Sequence, residues 1–360
     1  MAQKTPLYDE HTKLNGKMVS FAGFSLPIQY TDITQEHMAV RNKAGIFDVS
    51  HMGELTISGK DALKTLNYVL PSDITTLAPG KVRYMPILNQ NGGIVDDVLV
   101  YCFSTERYRL VVNAANIEKD ESWILQNIIG DTQIKNISDT MGLIALQGPV
   151  SYEILKNLVS EEHIPKGFFS FVENAQLEEV VCLISRTGYT GSFGYEIYCN
   201  SEDTVYVWQK LMEVGTPAGL LPCGLGARDT LRMEACMPLY GQEISDDITP
   251  FEASLDFTIK MSKPTNFIGK DALEKKGAPK RIRVGLKVIG RGIVRGESKI
   301  ILDEKEVGVT TSGTFMPYMN AAYAMGMVDI AHTKIGTVVD IDVRGRKVQG
   351  EVVPMPFYRL

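Results

Sequence analysis

The stretch SRTGYTGSFGYEIY, residues 185–198, carries glycines at 188, 191 and 194. A glycine-rich turn after an apolar run raises the possibility of a phosphate-cradling loop. The dinucleotide fingerprint is G-x-G-x-x-G, placed after a strand and opening a helix. Residues 188–194 read G-x-x-G-x-x-G instead. The run before them, EVVCLIS, is strand-like. The run after them, YEIYCN, alternates and is rich in aromatics, so it reads as a second strand. The unit is a β-hairpin with a long glycine-rich connection. It lacks the helix N-terminus that binds pyrophosphate, and no G-K-[ST] is present after the glycines. The nucleotide reading fails on context. Tyr189 lies in the open connection and Glu196 in the returning strand; on the residues alone, Glu196 is expected to face solvent.

Working outward, a chain of 360 residues has room for two or three domains and an ample core. Its balance of 44% hydrophobic and 22% charged residues is that of an ordinary globular protein. A net charge of −6 argues against a nucleic-acid binder, which would show a basic stripe. No apolar run approaches the roughly 20 residues needed to span a membrane. The start, MAQKTPLYDEHTKLNGK, has no apolar segment and includes Asp9 and Glu10, unlike a secretory or transit peptide. The expectation is a bacterial, cytoplasmic protein. Cys102, Cys182, Cys199, Cys223 and Cys236 form no C-x-x-C pair, which disfavours zinc, thioredoxin chemistry and a disulfide framework. His51 and Glu54 in SHMGE would need a helix to share a metal. The strand-like ELTIS argues for a polar histidine at a strand entrance, with no metal.

Strand and helix patterns are mixed along the chain. GELTISG reads as a strand, KDALKTLNYVL as an amphipathic helix, YMPIL, IVDDVLVYCF and YRLVVN as strands, and NIEKDESWILQNII as a helix with Asn116 at its N-cap. Leu55, Ile57, Gly59 and Leu66 are echoed by Ile144, Leu146, Gly148 and Leu155, with Pro149 where a helix begins. The echo suggests two related α+β units. Residues 262–281 are polar and punctuated by Gly and Pro, a connecting segment around a short helix. Beyond them, short alternating runs such as RVGLKVI, EVGVTTSG and TVVDIDVRG predict a small β-barrel or Greek-key domain.

In GGIVDDVLVYCF, strand alternation sends the carboxylates of Asp96 and Asp97 to opposite faces. Either one points inward, where an unpaired carboxylate needs a partner or a task, or the strand has one wet face. The residues leave both open. In GLGARDTLRMEA, a helix beginning near Gly226 holds Arg228 close to its start, where a cation opposes the macrodipole. Contact with an anionic or carbonyl-bearing ligand would explain it; a solvated arginine is the alternative. Asp229 can pair with Arg232 at i, i+3.

Taken together, FDVSHMGE (47–54), GGIVDDVLVY (92–101), VVNAANIEKD (111–120), SRTGYTG (185–191), GLGARDTLRMEA (224–235) and LYGQEI (239–244), in this order, resemble the aminomethyltransferase (T-protein) family of the glycine cleavage system. The resemblance runs from KTPLYDEH to the terminal PFYR. It implies an α+β fold of three domains in a cloverleaf: a first α+β unit at 1–140 intertwined with the second, a second at 141–275 carrying the hairpin, and a C-terminal β-barrel at 276–360. It implies transfer of the aminomethyl group from the lipoyl arm of the H-protein to tetrahydrofolate, giving 5,10-methylenetetrahydrofolate, ammonia and the dihydrolipoyl carrier. Tetrahydrofolate is then a co-substrate, with no metal, nucleotide, nucleic acid or membrane involved, and the protein is a monomer.

By the same resemblance Asp97 is the catalytic carboxylate beside the folate nitrogens, and Asp96 is structural. Glu196 receives the pterin's amino and ring N–H donors, Tyr189 lies against the ligand, and Arg228 binds it. Met52, Tyr84, Asn113 and Tyr240 are further pocket residues, and Tyr358 is a contact from the tail. The chain departs from the family pattern at Ser192 and Phe193, where an acidic pair is usual, at Phe24, where tryptophan is usual, and in TSGTFMPYMN, where Phe315, Met316 and Met319 are expected to alter a partner-facing surface. Two rivals share the fold: a folate-binding paralogue without transfer activity, against which Asp97 argues, and a folate-dependent demethylase. A third, the related iron–sulfur maintenance protein, is rejected because Cys236 in EACMPLYGQE is displaced from that family's motif.

Overall fold

The computed structural model describes residues 2–360, which divide into two compact units. The first takes in the chain up to Leu66, Ile74–Tyr84 and Val98–Asp229. At its heart is a six-stranded sheet in the order Phe171–Leu177, Val180–Ser185, Gly194–Asn200, Met141–Gln147, Ala44–Asp48, Leu220–Pro222. All pairings are antiparallel except the last. The hairpin expected from 185–198 is present, with Ser185 directly opposite Glu196. Because Gly194–Asn200 is an interior strand, its residues from Gly194 to Cys199 are all buried. Glu196 is therefore 7% exposed, contrary to the solvent-facing expectation. The core on this sheet joins Ile46, Ile144, Leu146, Ile184, Ile197 and Trp208.

A five-stranded sheet runs Lys81–Leu88, Ile94–Ser104, Arg107–Val112, Gly53–Ser58, Gln133–Asn136. Ile94–Ser104 gives residues to both units. The internal echo has a structural counterpart. Gly53–Ser58 leads through Gly59 into the helix Ala62–Val69, and Met141–Gln147 leads through Gly148 into Ser151–Leu155. Gly59 and Gly148 have φ of 116° and 124°, a left-handed region that favours glycine. Pro149 precedes the N-cap, Val150, and so lies just outside its helix. Asn116 does stand at the N-cap of Ile117–Gln126, but its side chain makes no capping bond.

The second unit comprises Asn67–Asp73, Met85–Asp97 and Thr230–Leu360. Its six strands Arg281–Ile289, Ala321–Asp329, Lys305–Met316, Lys299–Leu302, Val338–Val343 and Arg346–Val353 close into a barrel around Leu286, Ile300, Ala324, Val328 and Ile341. Closure removes the edges a sandwich would leave. The 262–281 segment does contain a short helix, Lys270–Lys276, but it is less solvated than its composition suggests. Lys263 is 4% exposed and donates to the carbonyls of Asn67, Leu70 and Ser72, at the C-terminal end of Ala62–Val69. A cation there satisfies orphaned carbonyls. Arg232 is buried and pairs with Glu243 at 2.8 Å, while Thr311 and Ser312 hydrogen-bond the two partners. In TSGTFMPYMN, Phe315 is exposed, but Met316 is fully buried with Met233 and Met325, so it cannot meet a partner.

Candidate functional site

Three of the sequence-derived residues come together in the first unit. The guanidinium carbon of Arg228 stands 4.8 Å from the centroid of the Tyr189 ring, a cation–π contact. Arg228 also acts electrostatically on Glu196. Burial raises the Glu196 carboxyl above its usual range, and Thr187, Arg228 and Tyr198 oppose that rise. Small cross-strand neighbours, Ser185 on one side and Ala145 on the other, leave room for the carboxylate inside the sheet.

The glycines of the connection have a local cause. A Cβ at Gly188 would overlap the side-chain amide of Gln147, and one at Gly194 would lie 2.5 Å from its Cδ. Gln147 pins the loop: its amide donates to the carbonyls of Thr187 and Tyr195, and its Oε1 accepts from Thr190. Arg41 adds bonds to the Thr190 carbonyl and Ser192 hydroxyl at 2.8 and 2.7 Å. The helix bearing Arg228, Leu225–Glu234, is anchored at its start by buried Glu36, which accepts from the amides of Gly224, Tyr30 and Thr31. A carboxylate at that end suits the macrodipole.

Behind Glu196 lies a buried polar cluster that sequence reasoning missed. Thr187 donates to Glu196, Ser185 is 2.5 Å from Thr187, and Tyr101 links Ser185 at 3.0 Å to Tyr198 at 2.7 Å. Arg109 pairs with Glu54 at 2.9 Å and lies 6.0 Å from the Tyr198 ring centroid. Burial pushes Glu54 up to about 7 despite Arg109. The i, i+2 spacing of Glu196 and Tyr198 on one strand face was the available signal.

His51 is buried, with Phe21 and Phe24 edging its ring, and its Nδ1 has no hydrogen-bond partner. Burial, then the charge of Arg228, hold it down to about 4, with Asp48 opposing. Between the usual value of 6.5 and about 4, the unfolded chain therefore binds a proton that the folded chain does not. Stability falls as pH drops through that window, by on the order of 3 kcal/mol in full. In urea titrations from pH 7 to 4, His51→Gln is expected to flatten this loss; parallel curves for the two proteins would refute the assignment.

The other expected site residues are divided between the units. Met52 sits in the turn after Val49, Tyr84 in Lys81–Leu88, and Asn113 just past Arg107–Val112; all three are half-buried members of the first unit. Asp97, Tyr240 and Tyr358 belong to the second unit. There Asp96 is fully buried and Asp97 half-buried, the opposite faces that alternation requires. Tyr240 donates to Asp246 at 3.1 Å, and Tyr358 packs edge-on to Tyr318 at 5.2 Å. A groove of about 300 Å³ is lined by Tyr152, Ile164, Lys166, Arg186, Phe193 and Tyr195. Tyr195, among its lining residues, is the strand neighbour of Glu196, so the two side chains leave opposite faces of the sheet.

Comparison with known proteins covers nearly the whole chain. Residues 7–263 match the GCVT N-terminal domain, and residues 281–359 match the glycine cleavage T-protein C-terminal barrel domain. An aminomethyltransferase of Bacillus cytotoxicus is 46% identical over 99% of this chain and 98% of its own length. One from Bacillus mycoides is likewise 46% identical, with the same coverage. The crystal structure of glycine cleavage system aminomethyltransferase T from Bartonella henselae is similar with a TM-score of 0.92, at 33% identity, covering 99% of this chain and 98% of that one.

Proposed function

We propose, on the premise that this chain belongs to the glycine cleavage T-protein family, a division of labour among its residues. The activity is aminomethyl transfer in glycine cleavage. The acceptor in our reading is tetrahydrofolate and the donor is the S-aminomethyl-dihydrolipoyl H-protein. The co-substrate carries the one-carbon unit, and the protein holds two reactants in line and manages protons.

Glu196 is the acceptor for the pterin's paired amino and ring N–H donors, which suit a bidentate carboxylate. Arg228, after Thr187, favours the ionised form of that carboxylate against its burial, and Tyr189 holds Arg228 in place while lying against the ligand. Asp97 orients the reacting folate nitrogen and favours cationic character there. Met52, Tyr84, Asn113, Tyr240 and Tyr358 are further folate-binding residues in this reading. The observation that carries the reading is a buried carboxylate, 7% exposed, electrostatically coupled to an arginine stacked on a loop tyrosine. Such a costly arrangement is expected where a ligand presents hydrogen-bond donors.

The same reading includes a three-part division at 1–140, 141–275 and 276–360, a monomer, and a cytoplasmic setting. No helix among the described residues is long and apolar enough to cross a membrane. The test is ammonia release from aminomethylated H-protein, with and without tetrahydrofolate. Release that depends on tetrahydrofolate is expected. Folate binding without release would move the chain to a binding paralogue or a demethylase.

A further inference from the structure

We infer that Thr187 and Tyr198 are positioning residues for Glu196, acting through a continuous chain of buried hydroxyls that ends on its carboxylate. The inference rests on reading Glu196 as the pterin acceptor. Thr187 Oγ1 donates directly to Oε2 of Glu196. Ser185 Oγ meets Thr187 Oγ1 at 2.5 Å, Tyr101 meets Ser185 at 3.0 Å, and Tyr198 meets Tyr101 at 2.7 Å. Ser185, Tyr101 and Tyr198 are at most 1% exposed, so water does not compete for these bonds. The series therefore runs from Tyr198 through Tyr101 and Ser185 to Thr187 and ends on Glu196.

The arrangement comes from the strands. Ser185 and Glu196 are cross-strand partners, and Tyr198 shares the face of Glu196 two residues on. A hydroxyl has one proton to donate, so successive O–H groups orient head to tail and the carboxylate charge polarises the whole series. A carboxylate oxygen has two lone pairs. Oε2 can therefore hold the Thr187 bond and still accept from a ligand. The chain thus fixes the plane of the carboxylate before the ligand arrives, so that orientation is not lost on binding. None of these four hydroxyls need touch the ligand.

The test measures tetrahydrofolate affinity and turnover at saturation in the full-length protein. Thr187→Val is expected to raise the dissociation constant about tenfold, the loss of roughly one charge-assisted bond, with turnover at saturation changed less than about twofold. Thr187→Ser should restore affinity, because only the hydroxyl is needed. Tyr198→Phe should weaken binding in the same direction, and it stands in if Thr187→Val fails to fold. Combined with Glu196→Ala, neither variant should weaken binding further. If Glu196→Ala weakens binding but Thr187→Val and Tyr198→Phe do not, the positioning role is wrong and the assignment of Glu196 stands. An effect of Thr187→Val that persists in the Glu196→Ala background also overturns it. If Glu196→Ala itself leaves affinity unchanged, the underlying reading of Glu196 falls.

Discussion

Asp97→Asn leaves the chain folded and tetrahydrofolate bound, and lowers turnover by about 10²–10⁴-fold, the usual range for losing a group that manages protons at the reacting centre. The substitution keeps size and shape and removes only charge. Asp97 is half-buried, so the fold tolerates an amide there without leaving a charge stranded in the interior. Its neighbour gives the contrast. Asp96 is fully buried on the other face of the same strand, and its replacement by Asn should act on stability first, through the hydrogen bonding of an interior carboxylate. Denaturant titration and single-turnover ammonia release separate the two effects. Unchanged turnover in Asp97→Asn would remove Asp97 from the chemistry. A loss of turnover matched by loss of fold would move it into the structural class with Asp96.

That contrast also shows what a sequence can and cannot disclose. Alternation states that Asp96 and Asp97 point apart, because it is a property of every strand. It does not state which one enters the core, since that depends on what packs on each face. The hairpin at 180–200 is legible for a similar reason: both strands and the loop lie in one continuous stretch. The burial of Glu196 is not, because it results from Met141–Gln147 pairing on the far side of Gly194–Asn200, a contact between distant segments. The glycines are visible, but their cause, the side chain of Gln147, comes from that same distant strand. Met316 and Lys263 escape the sequence in the same way. Each stands in a polar or turn-rich context, and each is buried by residues far away along the chain. The barrel is readable from its many short alternating runs, although closure, rather than a sandwich, needs the strand order. The proposed roles of the site residues rest on the family resemblance, because composition and spacing alone leave them open.

Glu196→Ala is expected to raise the tetrahydrofolate dissociation constant by about 100-fold, since two N–H donors of the ligand lose a charged acceptor and about 3 kcal/mol is a fair sum for such bonds. Turnover at saturating folate should fall much less, because the interaction is made equally in the ground and transition states. The variant also removes the group on which Thr187 and the buried hydroxyls converge, and it leaves Arg228 with only the Tyr189 ring of these two partners. Those hydroxyls can bond to one another, so the cost falls on binding more than on folding. Glu196→Gln discriminates further. It keeps the shape and one acceptor oxygen but presents an amide N–H₂ toward a donor, so it should bind folate no better than the alanine variant does. If the glutamine variant binds like the parent protein, charge is irrelevant at this position, and the pairing of a buried carboxylate with Arg228 has some other purpose. Isothermal titration of folded parent, Ala and Gln variants decides between these outcomes, because it reads binding without requiring the carrier protein or the chemical step.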